Sequence, residues 1–138
     1  MCLAKIKRYK SKPRYGYKCF SLNNNDELIP ECMPSYDANL NPIIYKRNQI
    51  YETKLASDGI PYINKSGTRK YKAGFHCFTT LKAAKEWRNG EKDLVIYKVK
   101  INNIVAQGEQ SVSCSWENYN KRHRVVVAQK MQLIKKIL

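Results

Sequence analysis

A chain of 138 residues with 43% apolar content is long enough for one buried core and too short for two, and its 26 Lys and Arg against 11 Asp and Glu leave a formal charge of +15. No apolar run approaches the roughly 18 residues of a membrane span, and Met1 to Lys18 carries Lys or Arg where a signal peptide has its apolar stretch, so no membrane partner is expected. The cysteines Cys2, Cys19, Cys32, Cys77 and Cys114 are odd in number and form no C-x-x-C pair, which favours free thiols in a reducing, intracellular compartment over a disulfide framework.

The charge is uneven. Met1 to Leu22 holds seven basic residues and no acid, and Asn118 to Leu138 holds six more, again without an acid. Residues 1–14, closed by Pro13, read as a basic N-terminal arm or an edge segment, and residues 15–138 as a single α+β domain. Tyr15 to Ser21 predicts a strand, and Asn23 to Asp26 the turn after it. Pro30, Pro34 and several Asn and Asp make 28–41 a loop around Met33 and Tyr36. Pro42 to Lys46 and Gln49 to Leu55 predict two short strands, with Arg47-Asn48 as a two-residue hairpin turn between them. Asp58-Gly59 and Lys65-Ser66-Gly67-Thr68 are further turns, the second opening a basic stretch with Arg69, Lys70 and Lys72.

Gly74 to Phe78 predicts a short strand, and Thr79 or Thr80 supplies an N-cap hydroxyl for a helix over about 80–89. Leu81, Ala84 and Trp87 form its apolar stripe, Lys82, Lys85 and Arg88 its wet face, and Gly90 its left-handed stop. Leu94 to Ile101 reads as a strand that Ile104 to Ala106 extends until Gly108 breaks it. The polar stretch 107–122 is a loop with Trp116 and Tyr119 as aromatic anchors. Arg124 to Ala128 is a β-branched run, and Lys130 to Leu138 continues as strand or short helix, fitting neither period cleanly. The fold class is therefore α+β: a mostly antiparallel sheet with one main helix.

Tyr71, Gly74-Phe75-His76, Phe78, the helix with its Ala pair, VIYKVKI, Ala106-x-Gly108 and the closing VVVAQKMQLIKKI, together with the initial Met-Cys-Leu and Tyr-Lys-Cys-Phe, resemble a group of small proteins encoded by phages and large DNA viruses. That resemblance implies a viral accessory or virion-associated protein, located in the host cytoplasm or the virion, and an inhibitor of host defence is one form it takes. A more distant likeness is to the ADP-ribosyltransferase fold, which implies as an alternative a transferase-like enzyme, or a degenerate one that keeps the fold and binds a nucleotide, with a candidate nucleotide site at Lys18, His76, Thr79, Thr80 and Glu109. The chain departs from that pattern at Lys18, which lacks the bidentate fork of an Arg, and at Glu109, which falls in the loop reading.

His76 has the near-neutral intrinsic pKa of a general base, but no orienting acid is identifiable, and its simpler role is to tie the Tyr71 to Gly74 segment to a backbone group. His76 and Cys77, as strand neighbours, point to opposite faces and do not share a metal ion, and no second ligand pair stands at zinc spacing, so neither metal nor cofactor is expected. Cys19 and Cys77 read as small core residues and His123 as part of a charged surface. The basic segments carry the main functional expectation. Tyr9, Tyr15 and Tyr17 interleave with Lys5, Lys7, Arg8, Lys10, Lys12, Arg14 and Lys18, the composition of a groove that follows phosphates and stacks bases. Lys5, Lys7, Arg8, Lys10, Lys12 and Arg14, with Lys121, Arg122 and Arg124, are the binding candidates for a nucleic acid, a nucleoprotein or an acidic protein surface. A protein-interaction module anchored on Trp116, Tyr119 and Met33 is the further alternative.

Overall fold

The structure, a computed structural model, describes residues 3–31, 43–52, 60–64, 67–71, 74–111 and 121–138, with 60–64 and 67–70 described through their backbone. In chain order the elements are β1 (Lys5–Ile6), β2 (Tyr15–Leu22), β3 (Leu28–Pro30), β4 (Ile50–Glu52), β5 (Ile60–Asn64), β6 (Gly67–Tyr71), β7 (Phe75–Phe78), α1 (Leu81–Arg88), β8 (Leu94–Ser111) and β9 (Arg122–Lys136). β8 and β9 pair from Ser111↔Arg122 to Tyr97↔Lys136, with register shifts at Lys98/Val99 and Ile104/Ala106 that bend the ladder. Each long strand then holds further neighbours on its other edge. β8 takes β2 along Leu94 to Lys100 and β1 at Gly108 and Glu109, while β9 takes β7 along Val125 to Ala128 and β4 along Lys130 to Gln132. β2 meets β7 at Tyr17↔Phe78, which closes β2, β8, β9 and β7 into a ring; β3 pairs the end of β2, and β5 and β6 form a separate hairpin. These pairings are all antiparallel, and α1 is the single helix among the described residues, so the fold is a small, mostly antiparallel α+β domain.

Alternation along the strands divides the core in two. Phe20, Phe75, Cys77, Val126 and Ala128 join Val99, Ile101, Met131 and Leu133 on one face, capped by Tyr45. Cys19, Phe78, Val125 and Val127 face the other way, with Ile96, and are covered by Ala83 and Ala84 of α1, by Tyr71 and by Leu3. Because β7 and the first half of β9 are buried on both faces, their sequences read as continuous apolar runs. Truncating Leu133 or Phe20 here removes side chains that are fully buried, at a cost of about 2–5 kcal/mol each.

The helix follows its local signals closely. Thr80, in extended backbone, accepts a hydrogen bond from the Ala83 amide at 3.2 Å, and Asn89 ends the helix in the left-handed region, followed by Gly90 at φ 75°. Its most buried residues are Ala83 and Ala84, with Leu81 and Trp87 half-buried, a stripe shifted from Leu81, Ala84 and Trp87 because small side chains let α1 sit close to β2. Arg88 does not stay wet: its Nε donates to the Leu94 carbonyl at 2.6 Å and ties the helix end to β8.

Several expectations need correction. Residues 28–30 form β3 rather than loop, because Leu28, Ile29 and Pro30 complete a hairpin with Leu22, Ser21 and Phe20 across the predicted Asn-rich turn. Arg47-Asn48 is a turn, with Asn48 at φ 63°, but its flanks do not pair with each other: Tyr45 bridges Leu28, and β4 pairs β9. Residues 107–111 and 122 belong to strands, and Lys130 to Lys136 is strand, with Met131 and Leu133 buried at a spacing of period 2. Asp58-Gly59 and Lys65-Ser66 lie outside the described residues.

Gly108 does not break β8. A Cβ there would stand 2.0 Å from the Lys5 carbonyl oxygen, so glycine is what lets β1 approach. The Gly108→Ala variant is therefore expected to lose about 1–3 kcal/mol and to release the N-terminal segment. Amide exchange checks this, since the Ala4 amide bonds Glu109 O and the Lys7 amide bonds Gln107 O: both should exchange much faster while β7 and β9 amides stay protected.

Candidate functional site

The N-terminal segment is an edge segment, not a free arm. Leu3 is 1% exposed, β1 pairs β8, and main-chain bonds fasten the segment at Ala4 to Glu109, at Lys7 to Gln107 and, further on, at Ile101 to Arg14. Between these points the two chains separate. Among the described residues no main-chain bond joins 8–13 to 102–106, and the gap opens a cleft of about 750 Å³. Ile6, Ile104, Val105 and Ala106 supply its apolar wall, Tyr9 an aromatic ring, and Lys7, Arg8 and Lys12 its basic rim.

Arg124 holds this bow in place. From β9 its guanidinium reaches across β8, donating to Ser11 Oγ at 3.1 Å, to the Ser11 carbonyl at 2.6 Å and to Gln107 Oε1 at 2.6 Å, and it lies 4.0 Å from the centroid of the Tyr9 ring. Arg124 is thus a positioning residue, while Gln107, which the loop reading left without a role, is the buried acceptor that orients it. A strand running on past Gly108 would have placed Gln107 beside Glu109 on one face of β8, and that alternation was the available signal.

The candidate cations fall into distinct groups. Lys7 is ion-paired with Glu109, whose hydrogen bond holds the ammonium above its ordinary pKa. Lys121 and His123 both bind Glu86 of α1, at 2.8 and 2.6 Å, and Lys121 first, then His123, keeps that carboxyl below the usual range. Lys5, Arg8, Lys10, Lys12, Arg14 and Arg122 are exposed and make no ion pair among the described residues. The N-terminal segment and the start of β9 thus meet at one end of the sheet, while Lys130, Lys135 and Lys136 lie further along the ladder. The side chains of Arg69 and Lys70, the residues Lys65 and Lys72, and the anchors Met33, Trp116 and Tyr119 lie outside what is described.

The candidate nucleotide residues are placed differently. Lys18 is 1% exposed and donates from Nζ to the His76 carbonyl at 3.0 Å, bridging β2 and β7 beside their single ladder pair. Thr80 caps α1, Thr79 Oγ1 donates to the Arg124 carbonyl at 3.5 Å, and Glu109 sits within β8, not on a loop, engaged by Lys7. The structure brings Lys18 and His76 together in the core; none of Lys18, His76, Thr79, Thr80 or Glu109 lines the basic cleft. No group of three or more His, Cys, Asp or Glu able to hold a metal exists among the described residues, and Cys19 and Cys77 are buried, their thiols donating to the Ala84 and Phe75 carbonyls.

His76 is fully buried and links the core to the arm. The Gly74 carbonyl only accepts, so Nδ1 carries the hydrogen at 3.2 Å; Nε2 accepts from the Tyr71 hydroxyl at 3.0 Å, which in turn accepts from the Leu3 amide at 3.0 Å. Burial first, and the Lys18 charge second, push the imidazole down to about 3. A neutral His76 in the fold and an ordinary one in the unfolded chain mean that stability is intact above about pH 6.5 and falls as pH drops toward 3, by up to about 1.4 kcal/mol per pH unit. Urea unfolding between pH 7.5 and 4 should show this slope, and His76→Asn, which places a non-titrating amide at Nδ1, should remove it; an unchanged slope would assign the loss to other groups. Comparisons with protein-family models, with curated proteins and with solved structures found no match to this chain.

Proposed function

We propose that this protein is a non-enzymatic binding protein whose basic N-terminal edge engages nucleic acid. The observation that carries the reading is the convergence of residues remote in sequence: Arg124 of β9 clamps Ser11 and Tyr9, and the clamped segment presents Arg8 and Lys12 at the rim of a cleft with Lys10 and Arg14 exposed beside it. Cations without carboxylate partners keep their field for an external anion, and each phosphate they meet releases condensed counterions. The viral resemblance of the sequence is compatible with a role on a genome or on a host nucleic-acid complex; an acidic protein surface offers the same charge, while a nucleobase adds a flat π-face for the cleft's aromatic residue.

Fluorescence anisotropy with a labelled oligonucleotide at low and physiological salt tests this. Affinity should fall steeply with salt, and the double variant Arg8→Gln with Lys12→Gln should weaken binding and lower the slope of log K against log salt by roughly 1 to 2. Absence of binding at low salt would remove nucleic acid as the partner.

A further inference from the structure

We infer that the cleft between the N-terminal segment and β8 is a base-stacking site, so that the preferred ligand is single-stranded nucleic acid rather than duplex. This rests on the nucleic-acid reading above and adds to it the state of the strand. A duplex keeps its bases paired and stacked on one another, so it has no free base face to lay against an aromatic ring. The cleft has both parts of a single-strand site. Its lining combines the cations Arg8 and Lys12 with the aliphatic Ile6, Ile104, Val105 and Ala106 and with Tyr9, and Tyr71 and Gln107 also line it. At about 750 Å³ it lies within the range of ligand pockets, roughly 300–1,000 Å³.

The arrangement of Tyr9 supports stacking specifically. Tyr9 lines the cleft, Arg124 does not, and the Arg124 guanidinium lies 4.0 Å from the centroid of the Tyr9 ring and covers it. A ring held in this way has lost its rotamer freedom before a base arrives, which lowers the ordering cost of binding. The bow in the segment is also sterically defined. It is fastened on one side by Lys7 to Gln107 and on the other by Arg14 to Ile101, and Arg124 pins Ser11 within it. A base entering between these ties meets the β8 wall on one side and Tyr9 on another, while its phosphate remains near Arg8 or Lys12.

The test compares oligothymidylate of about twelve nucleotides with a duplex of equal length, at one salt concentration, for the full chain and for Tyr9→Leu and Tyr9→Phe. The single strand should bind at least roughly ten-fold tighter than the duplex; Tyr9→Leu should weaken single-strand binding by roughly ten-fold and leave duplex binding unchanged, and Tyr9→Phe should retain it, since the ring and not the hydroxyl does the stacking. Thermal unfolding confirms that each variant is folded. Equal or tighter duplex binding, or an equal loss for both ligands in Tyr9→Leu, overturns the stacking site while leaving the nucleic-acid reading in place. Binding of neither ligand overturns both.

Discussion

The free edge of β8 governs the rest of this structure. At 18 residues β8 is longer than any strand that pairs it on the side away from β9, and an unpaired edge is both a loss of hydrogen bonds and a template for aggregation. β2 covers it as far as Lys100 and β1 covers Gly108 and Glu109. The N-terminal segment has to cross the interval between them, and it does so by bowing outward over Ile104 to Ala106. The cleft is the geometric remainder of that mismatch, and Gly108 is the residue that permits the second tie by leaving room for the Lys5 carbonyl.

The same economy of pairing explains the two buried polar residues that the chain offered as chemical candidates. The ring closes between β2 and β7 through a single ladder pair, Tyr17↔Phe78, which is a weak seam for two strands. Lys18 spans that seam with a side-chain bond to the His76 carbonyl, and its charge, placed among apolar neighbours, helps keep His76 neutral. A buried ammonium with a carbonyl as its bonding partner is costly, so its retention here is matched to a place where backbone pairing is sparse. His76 then extends the link through Tyr71 to Leu3, which connects the closure of the ring to the docking of the N-terminal edge.

Much of the fold is legible in the residues themselves, and the parts that are not share one cause. β2, β7, α1 and the first half of β8 carry local signals: aromatic and β-branched runs, the Thr80 cap, and the left-handed Asn89-Gly90 stop. Asn102-Asn103 and Gly108 look like breakers, and Asn103 does adopt a φ of 58°, but β9 holds both halves of β8 and converts the break into a bend. Long-range register likewise decides the site. The cations are visible in the composition, whereas the role of Arg124 depends on its standing opposite Glu109 across the ladder and next to the returning N-terminal segment. Gln107 is signalled only by its alternation with Glu109, and its partner Arg124 is set by that register.

The charge distribution takes on a different meaning once the acids are located. Glu109 and Glu86 each bind a basic residue, and what they hold is position: Glu109 fixes Lys7 at the mouth of the cleft, and Glu86 fixes Lys121 and His123 against α1 at the start of β9. Exposed ion pairs of this kind add little stability, but they order the segments on which the remaining cations ride. Arg8, Lys10, Lys12 and Arg14 stay exposed, carried by backbone that is tied down at Ala4, Lys7, Ser11 and Arg14, and exposed Arg122 is held in β9 opposite Ser111. A mobile basic tail would surrender conformational entropy on meeting any partner; this segment has already given up most of that freedom in folding, so ordering it would add little further cost.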